Sequence, residues 1–253
     1  MSKIVLVIPS RFASTRLPGK PLRLLAGKPM IQHVFERAQE AADDVGFEEI
    51  IIATDDARIQ ETCEAFGAKV CMTSENHETG SDRLAEVVAL NGWDDDTIVV
   101  NLQGDEPLTP IGNLKQVATN LANNPEASIA TLATPLSNNE EYKDPNVVKV
   151  VSDKNGMALY FSRASIPFQR DEDGAQVSDF ALRHIGIYAY RAGYLKSFAE
   201  MEPCKIEQLE KLEQLRAMWH GARIHVAVAD EVPGHGVDTE ADLIAVENIL
   251  LGN

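Results

Sequence analysis

The sequence predicts an α/β protein, a doubly wound and mostly parallel sheet with an inserted smaller β-rich lobe. Three observations carry this. Runs of Val, Ile and Leu without polar alternation occur early in the chain, as in KIVLVIP (3–9) and EEIIIAT (48–54), and such runs mark strands covered on both faces. Segments of helical period separate them at the intervals of βαβ units. Beyond residue 135 the pattern changes to β-like segments joined by turn material such as SDKNG and QRDEDGAQ.

The first strand is KIVLVIP, and MIQHVFERAQEAADD (30–44) is an amphipathic helix. A strand over 48–54 precedes a helix in DDARIQETCEAFG (55–67), and AKVCMT (68–73) is a short third strand. GSDRLAEVVALNG (80–92) is a helix, 97–101 a strand, IGNLKQVATNLANN (111–124) a helix and ASIATLATPL (127–136) a strand. NVVKVVSD, GMALYFSR and LRHIGIYAYRAG are the β-like segments of the lobe. CKIEQLEKLEQLRAMWHG (204–221) is expected to be one helix with Leu209, Leu212 and Leu215 on a stripe. RIHVAVAD (223–230) is a late strand, and TEADLIAVENILLG (239–252) a helix capped by Thr239 or Asp238. No repeat and no clear linker interrupts the chain. The expected organisation is a single domain, 1–253, with a core over 1–135, the lobe over 136–205 and a return to the core over 206–253.

A net charge of −16, from 39 acidic and 23 basic side chains, argues against nonspecific nucleic-acid binding, which needs a broad basic surface. It leaves room for a small anionic ligand, because a local basic cluster can build a positive pocket. No window approaches the roughly 18 uninterrupted apolar residues that mark a membrane span. MSKIVLVIPSR is better explained as a strand than as a leader, so a cytoplasmic protein is expected. Cys63, Cys71 and Cys204 are odd in number and lack paired ligand spacing, which points to free thiols.

The basic cluster lies directly after the first strand. SRFASTRLPGKPL (10–22) holds Arg11, Arg16 and Lys20 on a backbone restricted by Pro18 and Pro21 and turned by Gly19. Open α/β sheets bind ligands where loops leave the carboxyl ends of strands, and such a loop can wrap a polyphosphate. Neither a Walker A pattern nor G-x-G-x-x-G is present. NLQGDEP places Asp105 behind Gly104 at the end of another buried strand. A carboxylate facing a phosphate loop requires an intervening cation, for which Mg²⁺ is the natural choice; the alternative is a turn residue. Asp238 in EVPGHGVDTEADL is either a second such carboxylate or a helix cap. HETGSDRLAE caps its helix through Thr79 or Ser81, with Asp82 in the first turn, or offers its amides to a nucleotide. His184 lies on an expected strand, where a lone histidine is more often structural than catalytic. His225 needs no special role, and His77, Arg163 and Arg183 carry no signal of their own.

With these residues in view, IPSRFASTRLPGKPL resembles the nucleotide loop of the sugar cytidylyltransferase family. TGSDRLAEV, VNLQGDEP, ALYFSRASIPF, LRHIGIYAYRAG, LEQLRAMW and IHVAVADEVPGHGVDTEADL extend the resemblance over nearly the whole length. Within that family the chain is similar to the members that activate 3-deoxy-D-manno-octulosonate (Kdo) for lipopolysaccharide. The resemblance implies transfer of CMP from CTP to Kdo with Mg²⁺, a lobe used for sugar binding and dimerisation, and a homodimer. It assigns Arg11, Ser14 and Lys20 to the triphosphate and Thr79, Gly80, Ser81 and Arg83 to the nucleotide. Gln103 falls where sugar meets nucleotide, Asp105 and Asp238 are metal ligands, and Arg163, His184, Glu213 and Gln214 line the Kdo pocket. Ser81-Asp82 stands where Thr-Glu is expected, and His235 where a small hydroxyl residue is usual. The alternatives are a cytidylyltransferase for another acidic sugar, such as 8-amino-Kdo, or a non-catalytic nucleotide- or sugar-binding protein.

Overall fold

A computed structural model describes residues 2–13, 17–77, 79–170, 180–234 and 236–252. The opening run forms β1 (Ile4–Ser10), in which Val5, Leu6, Val7 and Ile8 are all fully buried. A 3-10 turn (Lys20–Leu22) and a small hairpin of β2 (Leu24–Leu25) and β3 (Lys28–Pro29) follow, then α1 (Met30–Val45). The alternation continues through β4 (Glu49–Thr54), α2 (Ala57–Ala65), β5 (Lys69–Met72), α3 (Gly80–Asn91), β6 (Ile98–Asn101), α4 (Ile111–Asn123) and β7 (Ile129–Pro135). The lobe contributes α5 (Asn139–Lys143), β8 (Lys149–Ser152), β9 (Ala158–Ser162), β10 (Leu182–Arg191) and α6 (Ala192–Phe198). The chain closes with α7 (Lys205–Glu210), α8 (Gln214–Trp219), β11 (Ile224–Val228) and α9 (Glu240–Leu251).

Among the described residues one sheet runs in the order β11-β7-β10-β6-β1-β4-β5, with β8 paired to β10 and β9 to β8. β1 pairs in parallel with β4 and β6, β4 with β5, and β7 with β11. β10 is antiparallel to both β6 and β7 and also receives β8. This is the expected doubly wound, mostly parallel sheet with its smaller β lobe. Side chains alternate along a strand, so Leu6 and Ile8 face α1 and α4 through Ile31, Val34, Leu114 and Val117. Val5 and Val7 face α3 and α6 through Leu84, Val87, Leu195 and Phe198. Both faces are covered, which is why the early strands lack polar alternation.

The segment 204–221 departs from the expected single helix. It breaks into α7 and α8 at Lys211, which adopts the left-handed conformation at φ 54. Leu212 and Leu215 are buried, but Leu209 is 83% exposed, so the leucine stripe is not one face. LRHIGIYAYRAG also ends earlier than expected as a strand, since α6 begins at Ala192. No helix among the described residues is long and apolar enough to cross a membrane.

Candidate active site

The loops after β1 and β6 meet at the carboxyl edge of the sheet, and Gly104 permits it. A Cβ there would stand 2.8 Å from the Pro9 carbonyl oxygen, closer than real Cβ contacts come. Gly19, at φ 65, starts the 3-10 turn that presents Lys20. The Lys20 ammonium donates to Asp105 Oδ2 at 2.6 Å, to the Val237 carbonyl at 2.8 Å and to Asp238 Oδ1 at 3.2 Å. One ammonium thus meets three acceptors from two distant parts of the chain.

Asp238 arrives because α9 docks beside the first loop. Val237, Leu243 and Val246 pack with Leu17, Leu25 and Met30, and the Ala26 amide donates to Glu247 Oε1 at 2.9 Å. Thr239 is the cap of α9, in a reciprocal capping box with Asp242, which leaves the Asp238 carboxylate turned towards Lys20. The same device resolves the start of α3. Thr79 is its cap, and Asp82 closes the box with the shorter acid found at that position.

Around Lys20 lies a cleft of about 630 Å³, lined by Ser10, Arg11, Lys20, Thr79, Gly80, Arg83, Gln103, Asp105 and Asp238 among others. Arg83 is buried beneath it, bonded to Asp55 Oδ2 at 2.6 Å and to the Thr73 hydroxyl. His77 lies at the rim and pairs with Glu86. Burial pushes the Glu106 carboxyl up to about 7, with the neighbouring charges of Asp105 and Asp238 adding to the rise. Ser14, Arg16 and His235 lie outside the described residues.

A second cavity, of about 240 Å³, adjoins the cleft, since Gly80 and Gln103 line both. Tyr188, Tyr190, Tyr194 and Phe198 line it, with Ser81, Asn101 and the Lys211–Gln214 turn among the other residues around it. The four rings follow one another at centroid distances of 5.4, 6.2 and 5.9 Å. Burial raises the Glu213 carboxyl above the usual range; Asp82 adds to this, and hydrogen bonds from Ser81 and Thr79 oppose it.

Of the residues named from sequence, Arg11, Lys20, Thr79, Gly80, Arg83, Gln103, Asp105 and Asp238 line the cleft, and Ser81, Glu213 and Gln214 the smaller cavity. Arg163 and His184 are not among the lining residues of either. Arg163 donates to the Glu210 carbonyl at 2.6 Å and the Pro145 carbonyl at 2.8 Å, joining the lobe to the end of α7. His184 is enclosed behind the aromatic row, 2.9 Å from Thr131 Oγ1 and 5.2 Å in ring centroids from Tyr188. Burial pushes its imidazole down to about 3. The aromatic row is a feature to which the sequence motifs above give no role, although it has a signal: Tyr188 and Tyr190 at strand period, Tyr194 and Phe198 at helix period.

A mostly parallel sheet with helices on both faces and a smaller β lobe is the fold of the α/β nucleotidyltransferase class. A family model described as cytidylyltransferase matches residues 5–224. The 3-deoxy-manno-octulosonate cytidylyltransferase of Thioalkalivibrio sulfidiphilus is 57% identical over 247 residues, covering 96% of this chain and 97% of the relative. That of Pseudomonas fluorescens is 54% identical over 254 residues, covering 98% of each. A solved CMP:2-keto-3-deoxy-manno-octonic acid synthetase complexed with CTP superposes with a TM-score of 0.90 at 42% identity, covering 99% of both chains. The chain belongs to the cytidylyltransferase family, and it is similar over nearly its whole length to 3-deoxy-manno-octulosonate members of that family.

Proposed function

We propose that the chain transfers CMP from CTP to Kdo, releasing pyrophosphate and forming CMP-Kdo. The observation that carries this is the adjacency of two unlike cavities across Gly80 and Gln103. One holds cations and carboxylates suited to a triphosphate; the other has an aromatic wall with polar groups suited to a sugar. Identity of 54–57% over almost the full length with Kdo cytidylyltransferases supports the choice of substrates.

In this reading Arg11, Ser14 and Lys20 bind the triphosphate, and Thr79, Gly80, Ser81 and Arg83 serve the nucleotide. Arg83 acts from below the cleft, by fixing Asp55 and Thr73. Glu213 and Gln214 orient the sugar, and Gln103 stands where both substrates meet. Arg163 and His184, assigned to the sugar by resemblance, support that pocket from outside its lining. Holding the anomeric hydroxyl in line with the α-phosphorus converts a bimolecular encounter into a positioned one. Lys20 and Arg11 stabilise charge that develops on the departing pyrophosphate.

The residues present fit a divalent cation. Asp105 and Asp238 offer hard carboxylate oxygens that already converge on one positive group, the Lys20 ammonium. Among the described residues no cluster of three or more His, Cys, Asp or Glu is arranged for a metal, and Mg²⁺ commonly takes only one or two carboxylates beside substrate phosphates. Asp105 and Asp238 are therefore the residues that would hold Mg²⁺, which when bound offsets phosphate charge and favours deprotonation of the attacking hydroxyl.

The nucleotide half belongs to 1–135, the sugar and dimer lobe to 136–205, and 206–253 returns to the core. Homodimerisation is part of the proposal, supported by Leu159 and Phe168, exposed by 61% and 66%; light scattering reads it. The cytoplasm, where CTP is available, is the proposed location. The deciding experiment measures pyrophosphate release with CTP, Kdo and Mg²⁺, with 8-amino-Kdo and UTP as comparison arms. Release faster with 8-amino-Kdo than with Kdo, or CTP binding without any release, overturns the assignment.

A further inference from the structure

The turn that lines the smaller cavity has no local reason to exist. CKIEQLEKLEQLRAMWHG has good helix formers throughout, yet the helix breaks at Lys211, a non-glycine residue at φ 54. Each half is six residues long, too short to be stable without tertiary support. Something outside the turn must select the broken form, and the break is what brings Lys211, Leu212, Glu213 and Gln214 to the cavity wall.

The buried pair of Glu207 and Arg216 supplies that selection. Arg216 Nη2 donates to Glu207 Oε1 at 2.6 Å and Nε to Oε2 at 2.9 Å, with side chains only 10% and 9% exposed. The two residues are nine apart. In one continuous helix they would be separated by about 13–14 Å along the axis and would point to opposite sides. Their two-pronged contact exists only when the helix is broken. Arg216 also stands over the Phe198 ring, 4.6 Å from its centroid, and Phe198 closes the aromatic row on the facing wall. Glu207 accepts as well from the Cys204 amide at the start of α7.

We infer that Arg216, through Glu207 and Phe198, sets the spacing of the two walls of the smaller cavity and so acts as a positioning residue for sugar specificity. Arg216 is not among the cavity-lining residues; it holds α7, α8 and α6, each of which carries or adjoins a lining group. This rests on the proposed reaction for its substrate, but the brace can be read without one.

Arg216→Lys retains the charge and loses the fork. The expected result is a KM for Kdo raised at least tenfold, with the KM for CTP within twofold of wild type. Glu207→Gln gives the same reading if Arg216→Lys lowers the thermal midpoint below the assay temperature. The paired replacement Glu207→Met with Arg216→Met strands no buried charge, so it recovers the thermal midpoint while the KM for Kdo stays high. Recovery of that KM along with stability, or equal shifts in both KM values, overturns the inference. Wild-type protein that releases no pyrophosphate from CTP and Kdo overturns the proposed reaction instead. Amide hydrogen exchange then still decides the brace: faster exchange over 205–219 and unchanged exchange in β1 and β6 of Arg216→Lys support it, and unchanged exchange over 205–219 overturns it.

Discussion

Lys20 Nζ and Asp105 Oδ2 are 2.6 Å apart although 85 positions separate them in sequence. The contact joins the loops that leave two adjacent parallel strands, β1 and β6. The Lys20 ammonium therefore contacts two carboxylates at the mouth of the cleft, Asp105 and Asp238. Lys20→Met leaves those carboxylates without their shared ammonium and, on the role proposed for Lys20, removes a charge from the leaving-group side. Turnover is expected to fall by about a hundredfold or more. Mg²⁺ should raise the thermal midpoint of the variant more than that of wild type, because the ion binds only the folded form. Pyrophosphate release and thermal unfolding with and without Mg²⁺ check both parts; a wild-type rate refutes the first.

Gly104 is set by contact with the backbone. The added methyl of Gly104→Ala would press on the Pro9 carbonyl from 2.8 Å, and Pro9 is held in β1 by its parallel register with Ala53 of β4. A loss of about 1–3 kcal/mol of stability is expected, the usual range for overpacking, together with lower turnover from displacement of Asp105. Urea unfolding and steady-state kinetics measure the two effects, and an unchanged unfolding midpoint would contradict the first.

Glu49 links three neighbouring strands. It lies on β4 and accepts from Lys3 Nζ at 2.6 Å, ahead of β1, and from Lys69 on β5. The Lys3 bond, then the Lys69 bond, hold its carboxyl down from an ordinary 4.5 to about 2, against the opposing effect of burial. The unfolded chain thus takes up the proton first, so the stabilisation is present above pH 5 and is lost as pH falls towards 2. After allowance for solvent screening, Glu49→Gln is expected to cost about 1 kcal/mol at pH 7. The two stability curves should converge near pH 2 in urea titrations at successive pH values; parallel curves would refute the linkage.

His184 has the opposite chemistry and a related acid limb. Burial keeps its imidazole neutral down to about pH 3, whereas the unfolded side chain protonates near 6.5. Its contribution is complete above pH 6.5 and declines as pH drops from there towards 3. Imidazole resonances of His184 should stay fixed between pH 8 and pH 5; a midpoint near 6.5 would show that the ring is solvated.

The sheet was legible in sequence because strands covered on both faces advertise themselves as unbroken apolar runs, as Val5–Ile8 and Ile51–Ala53 do. The cleft was legible because Gly19, Lys20 and Gly104-Asp105 lie in the loops that follow such runs. The break at Lys211 was not, since it depends on a contact between Glu207 and Arg216 that local propensity does not report. Arg163 was equally opaque: its partners are backbone carbonyls of Pro145 and Glu210, which carry no residue-type signal. The capping alternatives at Thr79 and Asp238 needed the geometry of each box to resolve.

The docking of α9 has a temporal meaning. Lys20 and Asp238 are 218 positions apart, and α9 is fastened by an apolar cluster separate from the two that fill the sheet faces. A ribosome therefore delivers the residues of both sheet faces before it delivers the second of the two carboxylates that meet Lys20. With Asp238 in its proposed role, the newborn protein gains activity only once its final helix is seated, and a protease cut ahead of Asp238 disarms it while both sheet-face clusters stay complete.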